Sequence, residues 1–248
     1  MNIFEKDLYV NSYDSDCKGF LNIFSLFNYL QEVAGEHASQ LSVGFDSMQS
    51  DKMFWVLSRI KVNIQRLPRW GDTIHVMTWP KGIEKLFFMR DFIVSDASGE
   101  VLVNATTAWL VVDTLKHRPL KPAAIPYAVP DNQGKFAIRQ VPGKLSPAGN
   151  LIMNHQRTVS LNELDVNLHV NNAFYVQWLM DCYDLEFITS HQISSIQINY
   201  LEEMKYRDNI AIYTDNNSEN PNQRYIEGIK TSDQNKALQA VMEWIPSI

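Results

Sequence analysis

Ile60-Lys61-Val62-Asn63-Ile64, running on through Trp70-Gly71-Asp72-Thr73-Ile74, returns in the second half of the chain as Ile196-Gln197-Ile198-Asn199-Tyr200 through Tyr206-Arg207-Asp208-Asn209-Ile210. No gap is needed: Ile60, Asn63, Asp72 and Ile74 fall on Ile196, Asn199, Asp208 and Ile210, and Trp70 falls on Tyr206. Farther along, Ala105 and Trp109 fall on Ala240 and Trp244. Upstream, Asp16 and Leu30 fall on Asp165 and Leu179. Each identity alone is weak. Their common order in three separated blocks reads as an internal repeat.

Each copy reads as a helix followed by strands. Ile23, Leu26, Phe27, Leu30, Val33 and Ala34 recur at steps of three and four, one face of a helix. In the second copy Val176, Leu179, Met180, Tyr183 and Phe187 make one stripe, and Phe174, Trp178, Cys182 and Leu185 another, which predicts a helix buried on more than one side. Alternating segments follow at 56–64, 73–79, 87–95 and 101–112, and again at 195–201, 210–214, 225–231 and 237–245. A long helix wrapped by an antiparallel sheet, present twice, is an α+β tandem (double) hotdog. Its two long helices are each wrapped by a sheet, and the sheets are expected to join into one, which removes two exposed edges.

Between the copies, Pro119, Pro122, Pro126, Pro130, Pro142 and Pro147 are six of the ten prolines. Such density forbids a long helix or a central strand. The organisation is therefore read as residues 1–115, a connection over 116–155, and residues 156–248. The connection carries Lys116, Arg118, Lys121, Lys135, Arg139 and Lys144 against Asp131, opposite in sign to the chain's formal charge of −6. That net charge argues against a nucleic-acid binder. A hydrophobic share of 45% supplies a globular core, yet no apolar run is long enough to span a bilayer. Cys17 and Cys182 form neither a disulfide framework nor a metal cluster. No metal or cofactor is expected. The start, Met1-Asn2-Ile3-Phe4-Glu5-Lys6-Asp7, lacks a basic-then-apolar leader, so a cytoplasmic location is the expectation.

The copies differ at one place. Asp165-Val166-Asn167-Leu168-His169-Val170 alternates polar and apolar; if extended, it sets Asp165, Asn167 and His169 on one side. The first copy has Asp16, Lys18 and Phe20 at those positions. Asn171 and Asn172 follow as caps of the second helix, whose first N–H groups are unpaired. The scaffold is kept in both halves and the polar trio in one only, which predicts an asymmetric site.

This run, with Tyr175 and Trp178 after it, resembles the signature of the plant and bacterial acyl-ACP thioesterases. In the first half Tyr29-Leu30-Gln31-Glu32, Trp55-Val56, Arg59, Pro68-Arg69-Trp70-Gly71-Asp72, Thr78-Trp79 and Arg90-Asp91 match that family in order. The likeness runs from about Tyr9 to Trp244. The plant enzymes' targeting extension is absent, which fits a bacterial-type enzyme. The resemblance implies Asp165, Asn167, His169 and a glutamate of the next long strand as catalytic set. The family's Tyr-x-x-Glu falls on Tyr200-Leu201-Glu202-Glu203, so Glu203 is the candidate, with Glu202 one register step away. Leu67 lies over Glu203 in the first copy. Where the family often has a cysteine, this chain has Met204, which argues against a cysteine acyl-enzyme.

The resemblance implies hydrolysis of fatty acyl-acyl carrier protein. Glu203 and His169 would activate a water, Asp165 would orient His169 or Asn167, and Asn167 with N–H groups of the helix start at Asn171 and Asn172 would face the carbonyl oxygen. Phe20, Leu26, Phe27, Leu30 and Trp55 would line the acyl chain's path. The acidic carrier protein would dock on the basic connection or on Arg59, Arg66 and Arg69. An acyl-CoA thioesterase and a non-catalytic acyl-thioester sensor are the alternatives. A monomer or a homodimer both fit.

Overall fold

The computed structural model describes residues 2–147, 149–215, 220 and 222–247. They fall into two compact units, Met1–Pro142 and Gly143–Ile248. Unit 1 runs β1 (Phe4–Tyr9), α1 (Ile23–Gln40), α2 (Phe45–Ser50), β2 (Met53–Ile64), β3 (Thr73–Glu84), β4 (Phe87–Ser95), β5 (Val101–Asp113) and β6 (Arg118–Pro119). Its antiparallel strands lie in the order β1-β3-β4-β5-β2, with β6 on the end of β5. Unit 2 runs β7 (Leu151–Thr158), α3 (Asn172–Met180), α4 (Leu185–Ser190), β8 (His191–Tyr200), β9 (Asn209–Asp215), β10 (Gln223–Lys230) and β11 (Lys236–Pro246). Its order, β7-β9-β10-β11-β8, repeats unit 1 strand for strand. Each unit is a hotdog.

Strand register bears out the ungapped repeat. Leu57 faces Trp109 and Arg59 faces Ala108, leaving Ser58 in a bulge. Ile193 faces Trp244 and Ser195 faces Glu243, leaving Ser194 in a bulge at the matching place. Val62 lies opposite Ala105 as Ile198 lies opposite Ala240. A bulge shifts which side chains face the core, so its retention keeps the inward set of both strands in phase.

The stripe on α1 is buried as its spacing requires: Ile23, Leu26, Phe27, Leu30, Val33, Ala34 and His37 all lie inside. Burying each Leu or Phe contributes about 1.5–3 kcal/mol. Asn22 caps the helix by accepting the Ser25 N–H at 2.6 Å.

One expectation is corrected. The second helix is not long, since α3 ends at Met180 and α4 starts at Leu185. Asp184 accepts the Phe187 N–H at 2.8 Å and so nucleates a new helix where the apolar stripe alone reads as continuous. The edge strands β1 and β7 were not marked by the alternating pattern, and β7 begins inside the stretch read as connection.

The first part of that stretch, as far as Pro142, packs with unit 1. Ile125, Leu120, Tyr127 and Val129 join a cluster with Met48, Met53, Phe88 and Val111. Trp79 Nε1 donates to the Lys135 carbonyl at 3.1 Å, and Arg59 donates to that of Pro142 at 2.7 Å. Asp91 accepts the Ala137 N–H at 2.8 Å while pairing with Lys81 Nζ at 2.8 Å, both side chains being buried. Proline forbids regular structure here, and side chains from the sheet satisfy the segment's backbone instead.

Candidate active site

The polar trio sits on a turn, not on a strand. Asp165 N–H donates to the His169 carbonyl at 2.7 Å and Leu168 N–H to the Asp165 carbonyl at 3.0 Å. Asp165 Oδ1 accepts the backbone N–H of Asn167 at 2.8 Å and of His169 at 3.3 Å. An aspartate that captures the N–H groups ahead of it closes the chain on itself, which extended backbone would not allow. The alternation of Val166 and Leu168 therefore marks no buried face: both are exposed. Val170 N–H, bonded to the Met204 carbonyl at 2.8 Å, ties the turn to the segment after β8.

Unit 1 contains the same turn. Asp16 Oδ1 accepts the N–H of Lys18 at 2.8 Å and of Phe20 at 3.0 Å, and Asp16 N–H donates to the Phe20 carbonyl at 2.7 Å. Leu21 N–H bonds the Pro68 carbonyl as Val170 bonds Met204. Two identical frames, one with His169 and one with Phe20, show what the aspartate does in both: it builds the turn. Asp165 meets the backbone of His169 and, at 3.5 Å, the amide of Asn167.

The imidazole has a different carboxylate partner. His169 Nε2 lies 3.3 Å from Glu203 Oε2. Glu202 instead pairs with Lys230 at 3.6 Å, which separates the two glutamates. Glu203 stands beyond the end of β8, because Leu201 and Glu202 both donate to the Ala237 carbonyl and the ladder stops there. The His169 side chain is 20% and the Glu203 side chain 40% exposed, so water reaches the pair.

Asn171 and Asn172 stand at the start of α3 and are tied to it. Asn171 Oδ1 accepts the Ala173 N–H at 3.0 Å, and the Asn172 carbonyl accepts from Tyr200 Oη at 3.0 Å. Burial raises the Tyr200 hydroxyl well above its ordinary value, so it stays a donor. Tyr175, raised likewise by burial, packs edge-on against Tyr200 at 5.4 Å. Before the turn, the buried Glu163 accepts from Ser160 N–H at 2.6 Å and Trp178 Nε1 at 3.0 Å, and pairs with Arg157. The Asn171 N–H bonds its carbonyl at 2.8 Å. Glu163 thus anchors the turn to α3, as Asp14 does in unit 1 through Tyr29 Oη at 2.7 Å. Sequence reading missed this anchor; the signal was an acidic residue two places before each turn's aspartate.

Leu26, Phe27 and Leu30 are core residues of α1. Phe20 precedes that helix and lies under the Arg69 guanidinium at 4.9 Å. Trp55 is on β2, edge-on to Phe88 at 5.1 Å, its Nε1 donating to the Val43 carbonyl at 2.8 Å. Of the cations read as docking candidates, Arg66 is neutralised by Asp96 at 2.5 Å and Glu100 at 3.1 Å. Among the described residues no group of His, Cys, Asp and Glu converges to hold a metal. No helix there is long and apolar enough to cross a membrane.

The chain's two halves match two family models in turn: the acyl-ACP thioesterase N-terminal domain over residues 1–124 and the C-terminal domain over 150–246. The chain belongs to the acyl-ACP thioesterase family. A chloroplastic palmitoyl-acyl carrier protein thioesterase of Gossypium hirsutum is 30% identical over 238 residues, covering 88% of this chain and 57% of that protein. A chloroplastic dodecanoyl-[acyl-carrier-protein] hydrolase of Cinnamomum camphora is 30% identical over 217 residues, 81% of this chain and 56% of its own. This acyl-ACP thioesterase family member thus spans little more than half the length of either relative. An acyl-ACP thioesterase crystal structure from Bacteroides thetaiotaomicron, 22% identical, superposes with a TM-score of 0.87 over 98% of both chains and shares the fold.

Proposed function

We propose that this chain hydrolyses the thioester of a fatty acyl group on acyl carrier protein, releasing free fatty acid. The observation that carries the reading is the His169–Glu203 pair in unit 2, whose two matching places in unit 1 hold Phe20 and Leu67. The substrates named for the two plant relatives support the acyl-ACP assignment.

Water attacks the carbonyl carbon and gives its proton to the His169–Glu203 pair, a step general-base catalysis accelerates by about 10²–10⁴-fold. Asn167 lends an amide N–H to the developing oxyanion; one such donor is worth about 3–4 kcal/mol. The C–S bond then breaks, and the thiolate recovers the proton held by the pair. Asp165 holds the turn that carries both Asn167 and His169. Phe20, Leu26, Phe27, Leu30 and Trp55 of unit 1 set the preferred acyl length, and the reaction belongs in the cytoplasm.

Thiol release measured on acyl-ACP and acyl-CoA across a series of chain lengths tests this. Turnover with kcat/KM higher on acyl-ACP supports it. Preference for acyl-CoA makes the chain an acyl-CoA thioesterase, and binding without thiol release makes it a sensor.

A further inference from the structure

The turn frames of the two units each contain two residues in the left-handed region. In unit 1 both are glycines, Gly19 at φ +76° and Gly71 at φ +93°. In unit 2 the matching places hold Leu168 at φ +62° and Arg207 at φ +66°. Glycine takes this conformation without a steric penalty; a residue with a Cβ does not. Leu168 is the one apolar side chain among the described residues with a positive φ, and it is 71% exposed. Strain and an exposed leucine are both unfavourable, and so little of the side chain is covered that packing within the chain offsets neither.

The neighbours repeat the contrast. Val166, 80% exposed, replaces Cys17, and the exposed Leu201 replaces Gln65. Lys205 and Arg207 stand exposed beside them, Arg207 over the Tyr206 ring at 5.1 Å. A bridge between His169 and Lys205 sets the two segments side by side. An apolar and cationic rim therefore flanks the His169–Glu203 pair; unit 1 keeps a cation, Arg69, at the Lys205 position and the same bridge, Phe20 to Arg69, but has Gly19, Cys17, Gln65 and Gly71 in place of Leu168, Val166, Leu201 and Arg207.

We propose that Leu168 and Arg207, with Val166, Leu201 and Lys205, form the docking rim for the acidic carrier protein whose acyl arm is hydrolysed. The inference rests on the hydrolase reading above. It moves the docking surface from the basic 116–144 stretch to the edge of the candidate site. Apolar contact supplies affinity and the cations supply charge complementarity, which acts mainly on encounter rate and is screened by salt.

The test restores unit 1's glycines, one at a time, with Leu168→Gly and Arg207→Gly. Glycine relieves the backbone, so misfolding does not explain a loss. Each variant is expected to raise KM for acyl-ACP about tenfold with kcat within about twofold, while kcat/KM on the matching acyl-pantetheine thioester is unchanged. Arg207→Lys should keep wild-type KM, and Arg207→Gly should flatten the salt dependence. Unchanged KM on acyl-ACP overturns the proposal, as does an equal loss on acyl-pantetheine. A shift from dimer to monomer with KM unchanged identifies a self-association surface instead and also overturns it. Should wild type release thiol from neither substrate, the hydrolase reading fails separately. The same variants must then raise the directly measured Kd for acyl-ACP about tenfold, or the rim is refuted too.

Discussion

Asp165→Ala and Asp165→Asn, made beside Asp16→Ala and Asp16→Asn, separate building the turn from doing the chemistry. Asp165 Oδ1 takes two backbone N–H groups, at 2.8 and 3.3 Å, and Asp16 Oδ1 takes the equivalent pair at 2.8 and 3.0 Å. A hydrogen bond to a charged acceptor contributes about 1.5–3 kcal/mol when well shielded; at these partly exposed turns about 1 kcal/mol each is appropriate. Removing the acceptor should therefore cost about 2 kcal/mol at either turn, a Tm drop of roughly 4–8 °C for a chain of this size. Asparagine keeps one oxygen for the same N–H groups and should recover most of that loss. In thermal unfolding, Asp16→Ala and Asp165→Ala are expected to fall alike. In thiol release, Asp16→Asn should match wild type and Asp165→Asn should stay within about tenfold of it, the residual loss coming from the Asn167 amide. If Asp165→Asn lost as much activity as His169→Ala at an unchanged Tm, the carboxylate charge itself would be needed and the turn-building account would be refuted.

Three further outcomes follow from particular contacts. Asp91→Ala leaves the buried Lys81 ammonium without its 2.8 Å partner and frees the Ala137 N–H; urea denaturation should show a loss of about 3–5 kcal/mol. Burial, with the Arg90 guanidinium 3.0 Å from Nδ1, lowers His37 to about 4, against 6.5 for the free side chain. The unfolded chain thus binds this proton more readily, so the stabilisation is complete above about pH 6.5 and is lost as pH falls towards 4; His37→Gln should flatten that part of a plot of Tm against pH. Desolvation pushes the Cys182 thiol up to about 12, while Cys17 is exposed in the unit without the pair. Iodoacetamide should modify Cys17, spare Cys182 and leave turnover unchanged, which peptide mapping and thiol release check together.

The duplicated fold was legible because the repeat keeps strand register, down to the bulges at Ser58 and Ser194. Where sequence reading failed, a local side-chain hydrogen bond had overridden periodicity. Asp184 restarts a helix within a continuous apolar stripe, and Asp165 folds an alternating run into a turn. Six residues of alternation do not separate a strand from such a turn. Family pattern alone separates Glu203 from Glu202 in the sequence; that His169 lies beside the one and Lys230 beside the other is visible only in three dimensions. Leu168 and Arg207 were visible in the sequence as replacements of Gly19 and Gly71, but their meaning depends on backbone angles that composition does not disclose.

His169 and Glu203, 3.3 Å apart, should act as one catalytic unit, and a double-mutant cycle on thiol release from acyl-ACP measures their coupling. His169→Ala and Glu203→Ala are each expected to lower kcat by about 10²–10⁴-fold, with Tm within a few degrees of wild type. The double variant should be little worse than either, because residues that act together do not lose activity additively. Wild-type turnover in either single variant, or a double variant whose loss is the product of the two, would contradict the account.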